Sequence, residues 1–269
     1  MSEPNVLLDI KDRIATVTLN DPERRNPITG NDMIEALLEK FAKVQADPEV
    51  SVMILTGAGS AFCAGGDIKE MNDPDGVFRK EPLAAAQSYV DGVQKLPQAL
   101  YNLDIPTIAA VNGAAVGAGA NLALGCDVRI IADEARIDTR FLDLGIHPGG
   151  GHTWMLRRIA GPQTAMSAVV FGQILDGKEC ERVGLAFRSV PRDELADVAQ
   201  EFAARAASMP RALAITTKAT IQAMADVDNH PDAVARELEP QLWSTQQPWF
   251  AERMEALKAK IAAKKAGKG

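Results

Sequence analysis

The order of predicted elements along the 269 residues indicates an α/β protein whose C-terminal part is helical. Short apolar runs alternate with helical stretches in the middle of the chain, in the order β-α-β-α-β. Beyond about residue 192 no further strand pattern occurs. A content of 46% hydrophobic and 24% charged residues is typical of a globular protein.

The chain opens with two strands and a helix. Val6–Ile10 and Ile14–Leu19 are β-branched and partly alternating, and a tight turn between them predicts a hairpin. Thr29 is expected to open a helix, because apolar residues between positions 33 and 41 recur at helical spacing. Asp32 lies where the acid of a capping box would stand.

Three further apolar runs predict the central strands of a parallel sheet: Val50–Thr56, Pro106–Val111 and Val128–Ala132. Helical stretches between them are typical of right-handed crossovers. The polar segment Met71–Pro82 contains Asp-Pro and Asp-Gly pairs, and we expect it to be a mobile loop.

The last part of the chain carries four predicted helices, separated by prolines: Asp193–Ser208, Arg211–Met224, Pro231–Gln247 and Pro248–Ala263. We therefore divide the chain into a core, residues 1–191, that contains the site, and a helical C-terminal region, residues 192–269.

Composition excludes several classes of function. Acidic residues outnumber basic ones by 36 to 29, and a net charge of −7 argues against a nucleic-acid partner. No apolar run reaches the roughly 18 residues of a membrane span. The start of the chain does not resemble a signal peptide, and the three cysteines are widely separated. A cytoplasmic protein with reduced cysteines is expected.

Two glycine-rich segments, residues 57–69 and 112–124, each follow a predicted strand. Glycine lets the backbone approach a ligand and direct free N–H groups at it. Two such loops at one edge of a sheet can present two donors to a single carbonyl oxygen, which is the arrangement of an oxyanion hole. Tight packing of helix on sheet is the alternative. Neither segment completes G-x-G-x-x-G, so a dinucleotide site is excluded.

The motifs in these loops and beside them resemble those of the crotonase superfamily, also called the enoyl-CoA hydratase/isomerase family. The resemblance runs from about residue 5 to 265 and rests on Asp21–Pro27 (DPERRNP), Ala61–Ile68 (AFCAGGDI), Ile108–Gly113 (IAAVNG), Cys126-Asp127 and Leu144–Ile146. It implies a β-β-α spiral core with a helical trimerisation region, assembled as a homotrimer or a dimer of trimers. The implied ligand is an acyl-CoA thioester, so coenzyme A would arrive as part of the substrate and no separate cofactor is expected.

The resemblance also implies the binding residues. The thioester carbonyl would receive the backbone N–H groups of Gly66 and Ala118. The positions that would line the CoA site are Arg25, Pro27, Ala64, Asp67 and Ile68.

The sequence departs from the family pattern at the two glutamates that hydratases use. Asn121 and Phe141 occupy those positions. Water addition needs one group to activate water and another to deliver a proton, and neither residue can do either. Asn121 could instead hold a water or a carbonyl by hydrogen bonds. We therefore expect that the protein is not an ordinary hydratase.

A loop with two histidines offers other proton carriers. His147 and His152 bracket Pro-Gly-Gly-Gly, and a histidine at a helix N-terminus is pushed toward the neutral form that suits a general base. Asp143 could orient an imidazole, and Asp138 is a further acid. Alternatively, His152 caps the helix and the glycines only turn the chain. No third ligand at ordered spacing accompanies the pair, so no metal site is expected.

Two functional hypotheses follow. The first is an acyl-CoA lyase or isomerase that polarises the thioester and stabilises an enolate-like intermediate, with His147, His152 or Asp143 carrying protons. The second is an acyl-CoA binding protein without catalytic activity, which the absence of both glutamates motivates.

Overall fold

The computed structural model describes residues 4–29, 32–74 and 81–266. The chain forms two compact units, of which the first ends at Ala207 and the second begins at Ser208. Among the described residues no helix is long and apolar enough to cross a membrane.

The main sheet of the first unit has six strands in the order β1-β2-β3-β5-β7-β10. The first two form the predicted hairpin, and every later pairing is parallel. The central strands are apolar and almost wholly buried, as expected of a parallel sheet covered on both faces. The strands are β1 Val6–Lys11, β2 Ile14–Leu19, β3 Val52–Gly57, β5 Thr107–Val111, β7 Val128–Ala132 and β10 Arg188–Val190.

A second sheet, which the sequence did not predict, has four short strands in the order β4-β6-β8-β9. They are β4 Ala61–Cys63, β6 Ala114–Val116, β8 Arg136–Asp138 and β9 Leu175–Asp176. The strands β4, β6 and β8 each follow a main-sheet strand after a link of two or three residues. The chain therefore repeats a β-β-α unit, which confirms the predicted α/β core.

Helices complete both units. The first unit contains α1 Met33–Ala46, α2 Ile68–Met71, α3 Pro82–Asp91, α4 Lys95–Tyr101, α5 Ala118–Gly125, α6 His152–Val169, α7 Gly177–Arg182 and α8 Leu195–Ala207. The second unit contains α9 Arg211–Ala223, α10 His230–Thr245 and α11 Pro248–Ala266. The helical C-terminal region is thus confirmed, and α8 packs against β3, β5 and β7.

Two predicted boundaries were wrong. Helix α1 begins at Met33, because the hydroxyl of Thr29 accepts a hydrogen bond from the Asp67 N–H at 2.7 Å and the side chain of Asp32 caps nothing. The expected loop Met71–Pro82 is shorter, since Met71 ends α2 and Pro82 begins α3. Part of that loop, residues 75–80, lies outside the described residues.

The buried helix α5 is held at its C-terminal end by a buried guanidinium. Arg129 of β7 donates from Nη1 to the carbonyl of Cys126 at 2.6 Å and to those of Ala123 and Leu124 at 3.4 Å. Its Nε donates to the Leu185 carbonyl at 2.6 Å. The C-terminus of a helix carries partial negative charge, and its last carbonyls lack intrahelical donors. The Arg129 guanidinium compensates the charge and donates to these carbonyls.

We expect Arg129→Met to lower the free energy of unfolding by about 2–4 kcal/mol, because several buried carbonyls lose their donor. Urea denaturation measures this, and Arg136→Met, at an exposed arginine of β8, is the matched control. Equal losses in the two variants would contradict the interpretation.

Candidate active site

A cavity of about 640 Å³ lies in the first unit and is the candidate site. Its described wall is formed by four stretches of chain, residues 24–29, 61–71, 114–121 and 140–150, and by part of α3 with the residues that follow it. This volume is typical of pockets that bind small molecules and cofactors.

The two glycine-rich loops meet at this cavity, and glycine is what allows them to. A Cβ atom on Gly65, whose φ is +83°, would lie 2.4 Å from the carbonyl oxygen of Val116 and 3.5 Å from the nitrogen of Ala118. A Cβ atom on Gly119 would lie 2.3 Å from the carbonyl oxygen of Cys63. Any larger residue would force the loops apart, so these glycines set their spacing.

The predicted donors, Gly66 and Ala118, both line the cavity. In the described part of the chain, neither of their N–H groups donates a hydrogen bond. Ala118 is the first residue of α5, whose N-terminus carries partial positive charge. The cavity therefore has two unused backbone donors on its wall, one from each loop.

Charged residues cluster on one side of the cavity. The carboxylate of Asp67 pairs with Arg24 at 3.0 Å and caps α2 by accepting from the Lys69 N–H at 2.8 Å. Arg24, Arg25 and Lys69 line the cavity together with Asp67, and Arg24 also pairs with Asp21 at 3.6 Å. Three cations beside one carboxylate on this described part of the wall favour an anionic ligand.

The other predicted CoA contacts, Pro27, Ala64 and Ile68, also line the cavity. Sequence reasoning missed the residue that holds them. Asn26 is fully buried, and its amide donates to the carbonyls of Ala58, Ala61 and Phe62 at 2.9–3.2 Å. A buried polar residue in a loop is usually hydrogen-bonded, but only the fold reveals its burial.

Asn121 lines the cavity, but its amide is engaged on both sides. Nδ2 donates to the carbonyl of Gly149 at 2.9 Å, and Oδ1 lies 2.8 Å from Nδ1 of His152. A carbonyl only accepts, so the NH₂ group must face Gly149 and the oxygen must face His152. The ring nitrogen Nδ1 of His152 therefore carries the proton.

His152 lies outside the cavity wall, where Asn121 and Phe141 cover it. It is 1% exposed, and its ring meets that of Phe141 edge to face at 5.0 Å. Among the described residues its Nε2 atom has no hydrogen-bond partner. Burial lowers the pKa of His152 to about 4, so the ring is neutral at physiological pH.

His147, in contrast, is exposed and lines the cavity. Its Nδ1 lies 2.7 Å from the carbonyl oxygen of Pro148, so Nδ1 carries the proton. In the neutral ring, Nε2 is then the acceptor, which is the tautomer a general base at this atom requires.

The structure does not bring the two aspartates to the imidazoles. Asp143 is exposed and lines a separate pocket of about 50 Å³, and it makes no hydrogen bond to His147 or His152. Asp143 lies in a short 3₁₀ turn that ends at Gly145 in the left-handed conformation, which directs this residue away from the large cavity. Asp138 pairs with Arg140 at 2.6 Å.

Within residues 4–29, 32–74 and 81–266, no cluster of three or more potential metal ligands occurs. Phe141 lines the large cavity, whereas the neighbouring Leu142 does not.

The buried ring of His152 should make stability depend on pH. The unfolded chain takes up a proton on this histidine below about pH 6.5, whereas the folded protein resists protonation down to about pH 4. The contribution of neutral His152 to the free energy of unfolding is therefore complete above pH 6.5 and is lost as the pH falls toward 4. Between about pH 7.5 and 5, the wild type should lose roughly 2 kcal/mol more than His152→Gln. Urea unfolding at both pH values measures this, and the exposed His230→Gln should behave as the wild type.

Comparisons with known proteins agree with this fold. The profile of the enoyl-CoA hydratase/isomerase family matches residues 9–259. A probable enoyl-CoA hydratase of Mycobacterium tuberculosis, EchA14, is 43% identical over 256 residues, which span 93% of this chain and 96% of that protein. The 1,2-epoxyphenylacetyl-CoA isomerase of Escherichia coli is 37% identical over 206 residues, or 76% of this chain and 77% of its own.

A crystal structure of enoyl-CoA hydratase from Bacillus anthracis superposes with a TM-score of 0.87 at 28% identity, covering 96% of this chain and 97% of that one. A probable enoyl-CoA hydratase/isomerase from Mycobacterium abscessus superposes with a TM-score of 0.84 at 30% identity, over 96% of both chains. The chain therefore belongs to the enoyl-CoA hydratase/isomerase family, the crotonase superfamily.

Proposed function

We propose that the protein converts an acyl-CoA thioester whose carbonyl oxygen is held by the N–H groups of Gly66 and Ala118. Two unused donors on the cavity wall and the positive end of α5 support this. Such donors stabilise the negative charge that develops on the oxygen when a proton leaves the adjacent carbon. The coenzyme A portion would meet the basic side of the cavity, and no separate cofactor is invoked.

We propose further that ordinary hydration is not the reaction. The two positions that family resemblance assigns to catalytic glutamates hold Asn121 and Phe141. Both polar groups of the Asn121 amide are engaged, by Gly149 and His152, and Phe141 has no exchangeable proton. Hydration needs two proton-transfer groups, so it lacks both of its usual carriers here.

One proton carrier suffices for a different reaction. In an isomerisation, a single base can remove a proton from one carbon of the acyl chain and return it to another. The His147 imidazole supports this choice, because it lines the cavity and its Nδ1–H bonds to the Pro148 carbonyl, which leaves Nε2 as the acceptor of the neutral ring. The other acidic or phenolic groups on the wall are less suited, because Asp67 is ion-paired and burial raises the pKa of Tyr89.

A non-catalytic acyl-CoA binding protein is the second candidate. This second candidate is favoured by the Asn121 amide, whose two polar groups are both hydrogen-bonded, and by the aromatic ring of Phe141. Both side chains line the cavity, but neither can act as a proton donor or acceptor in catalysis. Deuterium uptake separates the two candidates: a panel of acyl-CoA thioesters is incubated with enzyme in D₂O and analysed by mass spectrometry. Binding without exchange or product on any thioester would favour the carrier.

Replacing Ala118 by proline should remove one donor from the thioester oxygen. Proline fits the first position of a helix, so the change deletes the N–H with little effect on α5. We expect kcat/KM to fall by about 10²–10³-fold. The control is Ala118→Gly, which keeps the N–H, and thermal unfolding verifies that both variants are folded. A proline variant as active as the glycine variant would refute the oxyanion role.

His147→Ala should lower deuterium uptake into any thioester that the wild type exchanges by about 10²–10⁴-fold, because His147 is the imidazole among the described residues of the cavity wall. His230→Ala, at an exposed histidine of α10, is the matched control.

Independently, the wild type should leave the absorbance of crotonyl-CoA nearly unchanged. Rapid loss of that absorbance would show that hydration occurs after all, and the assignment of His147 would then be withdrawn.

A further inference from the structure

Within the described part of the chain, the side chain of His152 makes one hydrogen bond, to Asn121, and Asn121 in turn bonds to the loop that carries His147. His152 Nδ1–H donates to Oδ1 of Asn121 at 2.8 Å, and Nδ2 of Asn121 donates to the Gly149 carbonyl at 2.9 Å. Gly149 is two residues from His147, whose own Nδ1–H bonds to Pro148. A continuous chain of contacts therefore joins a buried imidazole to the exposed one.

The segment that carries His147 needs such an anchor. Residues 149–151 are three consecutive glycines, and Gly150 and Gly151 adopt positive φ angles of +66° and +79°. Glycine has the largest backbone freedom of any residue, so this segment has little intrinsic rigidity. On the N-terminal side of His147, the Ile146 N–H donates to the Phe141 carbonyl at 3.1 Å. On the glycine side, the carbonyl of Gly149 is a point of attachment, because it accepts from the Asn121 amide and, at 3.3 Å, from the N–H of His152.

The anchor is built on α5, the helix that also carries Ala118 at its start. Asn121 and Ala118 are three residues apart, about one helical turn, so they share one rigid element. An interaction that fixes the orientation of the Asn121 amide therefore also fixes the glycine loop relative to the proposed position of the thioester. A change of about 1 Å between base and substrate can lower a rate by about 100-fold.

A histidine is a costly residue for a purely structural position here. Its Nε2 atom is buried without a partner in the described structure, and its ring packs edge to face on Phe141. A leucine would fill such a site without burying an unpaired acceptor. What the imidazole provides, and an apolar side chain cannot, is the Nδ1–H that prevents the Asn121 amide from rotating.

We propose that His152 is a positioning residue, which locks the Asn121 amide and thereby fixes the glycine loop that presents His147 to the cavity. Its effect on catalysis rests on the proposed function of His147, whereas its effect on the loop does not. The two are tested separately.

The first test uses no substrate. The chain has three histidines, so ¹⁵N-histidine labelling resolves every imidazole by NMR. His152 should show the Nδ1–H tautomer, and His152→Leu or Asn121→Leu should change the chemical shifts or broaden the signals of His147. His230→Leu is the matched control. If the His147 signals are the same in wild type, His152→Leu and Asn121→Leu, the proposal is wrong, whatever the enzyme catalyses.

The second test measures deuterium exchange into a thioester that the wild type turns over. His152→Leu should lower kcat by about tenfold or more while KM changes little, because the binding loops are untouched. His152→Gln, which can still donate to Asn121, should recover most of the rate. In a His147→Ala background, His152→Leu should have no further effect.

Two results would overturn the proposal in this second test: an equal loss in the His147→Ala background, or no recovery by glutamine in a variant with wild-type thermal stability. If no thioester is exchanged by the wild type, the proposed function fails, and the NMR measurement alone decides whether His152 holds the loop.

Discussion

The close approach of two glycine loops is the constraint on which the site depends. Gly65 packs against the Val116 carbonyl, and Gly119 packs against that of Cys63, with no room for a Cβ atom at either place. The short strands β4 and β6 pair beside this contact, so the second sheet fixes the loops in register. At this spacing Gly66 and Ala118, one from each loop, line the same cavity.

Helix α5 extends this constraint to the rest of the site. Its C-terminal carbonyls are held by the buried Arg129, and its N-terminus offers the Ala118 N–H. The side chain of Asn121, one turn further on, reaches the Gly149 carbonyl. A helix of eight residues therefore connects the core of the main sheet, the proposed donor and the glycine loop, and its rigidity comes from burial rather than from helix propensity.

The sequence predicted those helices and strands that are long enough to display a hydrophobic pattern. The central strands are continuous apolar runs, and the C-terminal helices are separated by prolines, so both were recognisable. The second sheet was not, because strands of three residues such as Ala61–Cys63 are too short to display alternation. The start of α1 depended on a tertiary contact, the bond between Thr29 and Asp67, which no local pattern encodes.

The same limit applies to the candidate site. Residues in the family motifs, Arg25 and Asp67 among them, were located because a resemblance supplied their positions. The sequence could not show which of His147 and His152 is buried and which lines the cavity, because both flank the same run of glycines. Their difference in burial arises because α6 begins at His152 and turns that ring inward, against Phe141. Asp143 was expected beside an imidazole, but its turn places it at another pocket.

The family resemblance implies a glutamate at position 121, where this chain has Asn121. The Asn121 amide relates that difference to the buried His152, because the two side chains are hydrogen-bonded. A carboxylate there would bring its oxygens toward the Gly149 carbonyl, where both groups accept and neither donates, so the loop would lose its anchor. An amide supplies the missing donor, but it then needs a fixed orientation, and the Nδ1–H of His152 provides one. Where the family resemblance implies a glutamate that moves a proton, the proposed role of Asn121 is therefore to hold a loop. That proposal requires another residue to carry the proton, and among the described residues of this cavity wall the imidazole is that of His147.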